Sequence, residues 1–163
     1  MPCCRILTSP RLFRSLFDME EKRYLGLDFG GRRIGVAVSD PGGIIAQPLE
    51  TLTVNGVGDA VRQVCRIIGE RGVVAVVVGL PLNLSGTESE LTEDVRKFAE
   101  RLRSACPAPV YFEDERLSSR QAETVLHAHG KKIKGNKGKI DRISAAVILQ
   151  SYLDRMNMSA EPG

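Results

Sequence analysis

Five acidic residues stand where a carboxylate has chemical consequences. Asp28 closes the alternating stretch Tyr24-Leu25-Gly26-Leu27-Asp28, which otherwise has the pattern of a buried strand. Glu113, Asp114 and Glu115 come directly after Val110-Tyr111-Phe112, and Asp141 stands just before a largely apolar run. An ionised carboxylate at the end of a buried strand is costly unless it is paired, hydrogen-bonded or bound to a cation. Three adjacent acids repel one another and ask for counter-charge; Arg116 supplies one, and a divalent metal would supply more. Plainer readings exist for each. Asp28 as a turn cap would pair with Arg32 or Arg33, and Asp141 in the first turn of a helix would only complement the helix dipole. The glycines on either side of Asp28 favour chemistry, since they would let a ligand or metal approach the backbone closely.

The elements that must position these acids are read from periodicity. Residues 24–40 read as a hairpin: an apolar run ending at Phe29, the pair Gly30-Gly31, and a second apolar run at 34–38. After a turn at Gly42-Gly43, residues 44–54 make a third antiparallel strand, bent by Pro48. Apolar residues at 57, 60, 61, 64, 67 and 68 have the helical period, predicting a helix over 57–70 that Gly72 ends. The β-branched run 73–79 is a central strand buried on both faces. Gly79-Leu80-Pro81-Leu82-Asn83 then leads past Ser85, Gly86 and Thr87 into a long helix with Leu91, Val95, Phe98, Ala99 and Leu102 on its buried face. That loop is either a phosphate cradle, with Asn83, Ser85 and Gly86 as the candidates, or simple capping. A short strand at 110–112 precedes the acids, Ser118 caps a helix to about His129, and a lysine loop comes next. The last helix is expected from about 140 to 156, with Ile143, Ala146, Val147, Leu149, Gln150 and Leu153 lining or bordering one face. The order is βββαβαβα and a further helix. If the first, fourth and fifth strands are neighbours, Asp28, Asp114 or Glu115, and Asp141 converge at one edge of the sheet.

Composition bounds the class. At 163 residues with 42% hydrophobic content, the chain suits one globular domain. No apolar run approaches the roughly 20 residues of a membrane span. The net charge of +3 is mild, but Lys131, Lys132, Lys134, Lys137 and Lys139 fall within nine residues that hold no acid. A basic patch beside local acids suits a protein that binds a polyanion and holds cations, although a solvated lysine loop looks the same. Cys3, Cys4, Cys65 and Cys106 lack the spacing of a zinc site or a disulfide framework, and His127 and His129 form no metal motif. A reducing cytoplasm is the expected setting. Residues 1–18 are basic and unlike the rest of the chain; they read as a disordered extension before Met19. The expected organisation is an extension over 1–22, a domain over 23–156 and a disordered tail over 157–163.

Four stretches together resemble one family. GLDFGGRRIGVAVSD at 26–40, VVGLPLNLSGTESELTEDVRKFAERL at 77–102, DERLSS at 114–119 and KGKIDRISAAVILQSYL at 137–153 are similar to the YqgF (RuvX) family. The similarity spans nearly the whole compact part of the chain; the N-terminal extension has no counterpart, and Ser118-Ser119 stands where Thr is often found. It implies an α/β, RNase H-like fold: a five-stranded mixed sheet, three antiparallel strands then βαβ units, flanked by helices. Members look like Holliday-junction resolvases and are regarded as nucleases of pre-16S rRNA processing. The resemblance therefore implies a phosphodiesterase dependent on Mg²⁺ or Mn²⁺, with Asp28, Asp141 and either Asp114 or Glu115 as metal ligands. Asp28, Glu115 and Asp141 are the expected catalytic set. Arg33 and Arg116, with Lys131, Lys132, Lys134, Lys137 and Lys139, are the expected contacts to nucleic acid, whether an rRNA precursor or branched DNA. The chain shows no aromatic cluster for base stacking, which favours recognition by shape and backbone.

Two other classes share features. Actin-like ATPases and sugar kinases also begin with a strand, DxG and a hairpin, but this chain is short for two lobes and has no second phosphate loop of their kind. A non-catalytic RNA-binding assembly factor would keep the fold and the lysines. The same acids and lysines would serve an RNA precursor or a DNA junction, in a monomer or a homodimer.

Overall fold

The computed structural model describes residues 21–81, 90–114 and 137–160. Five strands form one sheet in the order β3-β2-β1-β4-β5: β1 Arg23–Phe29, β2 Arg33–Ser39, β3 Ala46–Thr53, β4 Val73–Leu80 and β5 Val110–Asp114. β1, β2 and β3 are antiparallel, whereas β4 and β5 run parallel to β1. The first, fourth and fifth strands are neighbours, as convergence of the acids requires.

Strand alternation divides the sheet into two faces. Leu25, Leu27 and Phe29 of β1, with Ile34, Val36, Val76, Val78 and Val110, point to one face, which α1 (Val57–Arg71) and α2 (Glu90–Ala105) cover. Phe29 stacks on Phe98 of α2 at 5.0 Å between ring centroids. The second face carries Tyr24, Ala37 and Val77 and is covered by α3 (Lys137–Ala160) through Ala145, Ile148, Leu149, Tyr152 and Leu153. Gly72 ends α1 in the left-handed conformation, φ 61°, with its N–H donated to the Ile68 carbonyl. Cys65 and Cys106 are free thiols packed at the edge of the larger core.

Several local expectations are corrected. The third strand starts at Ala46 rather than 44, because the Asp40 carboxylate accepts from the Ile44 and Ile45 amides, both at 2.7 Å, and holds them in a turn. At Pro48, where a bend is expected, the strand continues and the register shifts opposite it, between Val36 and Ala37. Leu91 is exposed, and Thr92 is buried in its stead with its hydroxyl donating to the Pro81 carbonyl at 2.6 Å, which ties α2 to the exit of β4. The last helix begins at Lys137 rather than 140 and continues to Ala160, so residues 157–160 are helical rather than tail. Its first turn is anchored by the Thr51 hydroxyl on the Gly138 carbonyl, and its last by Asn157 donating to the Gly43 carbonyl at 3.5 Å. Its buried stripe is 145, 148, 149, 152 and 153, with Ile143, Ala146 and Val147 only half-buried. Residues 1–20 and 161–163, and the helix expected over 118–129, lie outside the described residues.

Candidate active site

Asp28 lies one residue from the end of β1 and pairs with Gly35 of β2. It shares a face with Gly26, the face of α3. Both glycines are seats for that helix. A Cβ on Gly26 would stand 2.6 Å from Leu149 Cβ and 2.8 Å from the Ala145 carbonyl oxygen; one on Gly35 would overlap the Asp141 carbonyl and come within 2.9 Å of the Arg142 nitrogen. Gly26 therefore admits a helix rather than a ligand, correcting the role expected of the glycine before Asp28. The helix backbone rests directly on the sheet beside Asp28, and Asp141 arrives next to it. Because α3 starts at Lys137, Asp141 is in the second turn, where the helix dipole gives little stabilisation.

The two carboxylates are electrostatically coupled. Burial first, and the neighbouring Asp141 second, push the Asp28 carboxyl up to a pKa of about 6. Arg33, one of the two arginines expected to pair with Asp28 and also an expected contact to nucleic acid, brings Nε to 3.0 Å from Asp141 Oδ2. The charges meet, but not in hydrogen-bond alignment, and Asp141 Oδ2 is buried with no hydrogen-bond partner. A buried oxygen left unsatisfied beside a second carboxylate of raised pKa is a donor set suited to a hard cation.

The other acids separate. The register Leu80↔Asp114 sets Asp114 on the face of α1 and α2, opposite to Asp28. Glu113, paired with Gly79, is on the Asp28 face but is spent on structure: it is 1% exposed, accepts from Arg155 Nη1 at 2.9 Å and Nη2 at 2.6 Å, and takes the Ser151 hydroxyl at 3.2 Å. The counter-charge that the acid triplet needs thus comes in part from α3, 42 residues along the chain. Among the described residues no three acidic or histidine side chains converge as a metal site. Glu115, Arg116, Lys131, Lys132 and Lys134, and the loop candidates Asn83, Ser85 and Gly86, lie outside the described residues. Lys137 and Lys139, expected in a loop, are exposed on the first turn of α3 next to Asp141.

One grouping has no linear signature. Tyr24, Tyr111 and Tyr152 are the only tyrosines in the chain. They come together from β1, β5 and α3, with centroids 6.2 Å apart for Tyr24 and Tyr152 and 5.7 Å for the stacked Tyr111 and Tyr152.

A family model described as RuvX, Holliday junction resolvase, matches residues 22–155. The chain belongs to the RuvX family. A relative from Chloroflexus aurantiacus, named "Putative pre-16S rRNA nuclease", is 46% identical over 136 residues, covering 83% of this chain and 89% of the relative. A second of the same name, from Crocosphaera subtropica, is 42% identical over 141 residues, covering 86% and 99%. Among solved structures, Thermus thermophilus RuvC in complex with a Holliday junction superposes with a TM-score of 0.56 at 18% identity, covering 83% of this chain and 96% of that one. The yeast mitochondrial Holliday junction resolvase Ydc2 gives 0.52 at 13% identity, covering 88% and 84%. The fold of this RuvX member is accordingly that of the RuvC-like resolvases, RNase H-like, as the sequence motifs imply. Among its described residues, no helix is long and apolar enough to cross a membrane.

Proposed function

We propose that this RuvX chain is a metal-dependent nuclease that hydrolyses phosphodiester bonds in the 5′-end processing of pre-16S rRNA. The observation that carries the reading is the Asp28–Asp141 pair: two coupled carboxylates, one of raised pKa and one with an unsatisfied buried oxygen, at the edge of the sheet. The names of relatives more than 40% identical over most of their length support the substrate class. The free thiols Cys65 and Cys106 agree with a cytoplasmic setting.

Asp28 and Asp141 would hold a Mg²⁺ or Mn²⁺ ion, with Glu115 as the third acid, since Asp114 is turned to the other face. Bound there, such an ion supplies activation of the attacking water and charge neutralisation at the leaving oxygen. Arg33 offsets part of the negative charge and fixes the orientation of Asp141. Lys137 and Lys139, exposed on the first turn of α3, would contact the substrate backbone, and Lys131, Lys132, Lys134 and Arg116 extend the same set in sequence. This chemistry needs no histidine base.

A second reading, resolution of four-way DNA junctions, is favoured by the likeness in fold to RuvC and Ydc2. Paired cuts would require two symmetry-related sites, hence a homodimer, whereas RNA trimming works in a monomer. The deciding experiment compares cleavage of a labelled rRNA precursor and a four-way junction, with Mg²⁺, Mn²⁺ or EDTA, by wild type and Asp28→Asn. Metal-dependent cutting of the precursor that vanishes in the variant is expected. Cutting confined to the junction would transfer the assignment to a resolvase, and binding of RNA without any cutting would make the chain a non-catalytic assembly factor.

A further inference from the structure

The tyrosine cluster is not used by the proposed chemistry, and its arrangement is that of a stacking platform. Tyr111 lies on Tyr152 with ring planes 25° apart and is 45% exposed. A base placed there would continue an existing stack. One guanidinium flanks it on the same face. The Arg155 guanidinium sits 5.7 Å from the Tyr152 ring centroid and its side chain is 56% exposed; both its Nη atoms are held by Glu113. On the opposite face of β5, Phe112 has Arg103 at 5.3 Å and Arg96 at 5.9 Å from its centroid. β5 stands at the end of the strand order, and its Tyr111 and Phe112 point to opposite faces, where α3 and α2 bring the arginines. Such interleaving serves polynucleotides, because every base offers a π-face and every linkage a negative charge. The site also has a direction. Tyr111 pairs with Val77, which pairs with Gly26, so the platform lies on the Asp28 face, two strands across and two residues back from Asp28, about 12 Å away.

We propose that Tyr111, backed by Tyr152 and flanked by Arg155, is a base-stacking subsite for single-stranded RNA leading to or from the acidic edge. This rests on the nuclease reading and specifies its substrate: an unpaired flank rather than a duplex, whose bases are already stacked and cannot reach the ring.

The test uses the chain's own fluorescence, which comes from these three tyrosines alone because there is no tryptophan. A single-stranded oligoribonucleotide is titrated into the full chain in EDTA, beside a duplex of the same sequence and a four-way DNA junction. The single strand is expected to quench the emission, and Tyr111→Leu, at an exposed position, to weaken its binding about tenfold by an anisotropy assay, in line with the worth of one stacked base. Tyr111→Phe should bind as wild type, and binding of the duplex and junction should not change in either variant. Unaltered single-strand binding by Tyr111→Leu would overturn the proposal, as would an equal loss on duplex and single strand. Should Tyr111→Leu fold poorly by circular dichroism, absence of quenching in the wild type would do the same. Cleavage that fails in Asp28→Asn while Tyr111→Leu binds normally would remove the subsite and leave the nuclease; the converse would leave an RNA-binding surface without chemistry.

Discussion

At the scale of single residues, the chemistry turns on how dearly the fold holds charge at Asp28. Its carboxyl rises from the ordinary 3.8 to about 6 through burial and the nearby Asp141. The folded chain therefore binds this proton more tightly than the unfolded chain does. Its contribution to stability is full below about pH 4, declines as pH rises, and is lost by about pH 6, a change of about 3 kcal/mol. In EDTA, urea midpoints should fall between pH 4 and pH 6.5, and Asp28→Asn should flatten that segment and be more stable than wild type at pH 7. A variant that is inactive yet stabilised marks a residue kept for function; an unfolded variant would mark a structural one. Added Mg²⁺ should stabilise the wild type at pH 7.5 much more than at pH 5, where protons compete for the same oxygens, and should leave Asp28→Asn little changed. Asp141, by contrast, is met by Arg33 at 3.0 Å.

At the scale of elements, the site is made by one helix lying unusually close to one sheet. Gly26 and Gly35 remove the side chains that would hold α3 away, and the Gly35 seat is the part of β2 paired with Asp28. Gly35→Ala should cost at least about 3 kcal/mol, at the upper end for overpacking, and abolish cleavage by lifting Asp141 from Asp28. Gly31→Ala provides the contrast: φ is 79° with nothing near the added carbon, so the penalty should be about 1–2 kcal/mol of backbone strain. Denaturant melts of both variants would order them. At the other end of α3, the Glu113–Arg155 pair ties the helix to β5. Arg155→Ala would strand a carboxylate that is 1% exposed and should cost about 3–5 kcal/mol. Replacing both partners together, as Glu113→Gln with Arg155→Gln, should recover a good part of that loss, which a double-mutant cycle would measure.

At the scale of the molecule, charge is arranged about the sheet edge rather than held as a large net excess of +3. If the lysines grip a phosphate backbone, changing Lys131, Lys132, Lys134, Lys137 and Lys139 to alanine should weaken binding of every nucleic acid tested. It should also flatten log K against log salt by about 0.7 to 0.9 for each phosphate no longer neutralised. An unchanged slope would take these lysines out of the interface. The Tyr111 variant should leave this slope alone, since stacking releases few counterions.

The strand pattern, the β1–β2 hairpin, α1 and the identity of Asp28 and Asp141 as the residues of interest are readable in the chain because they depend on local periodicity and on the penalty for a carboxylate at a buried strand end. The four motifs also carry the family. Other features are not local. The phase of α3 departs from its sequence pattern because residues 143–149 are apolar around nearly the whole helix; only the groove over Gly26 and Gly35 selects Ala145, Ile148 and Leu149 as the buried side. Which member of the acid triplet is consumed in packing depends on Arg155, whose guanidinium reaches Glu113 only after β5 and α3 have docked. The three tyrosines likewise meet only in space. The chain by itself determines the period of each element and the types of its side chains, whereas the docking of one element on another determines which charges are compensated and which rings stay open.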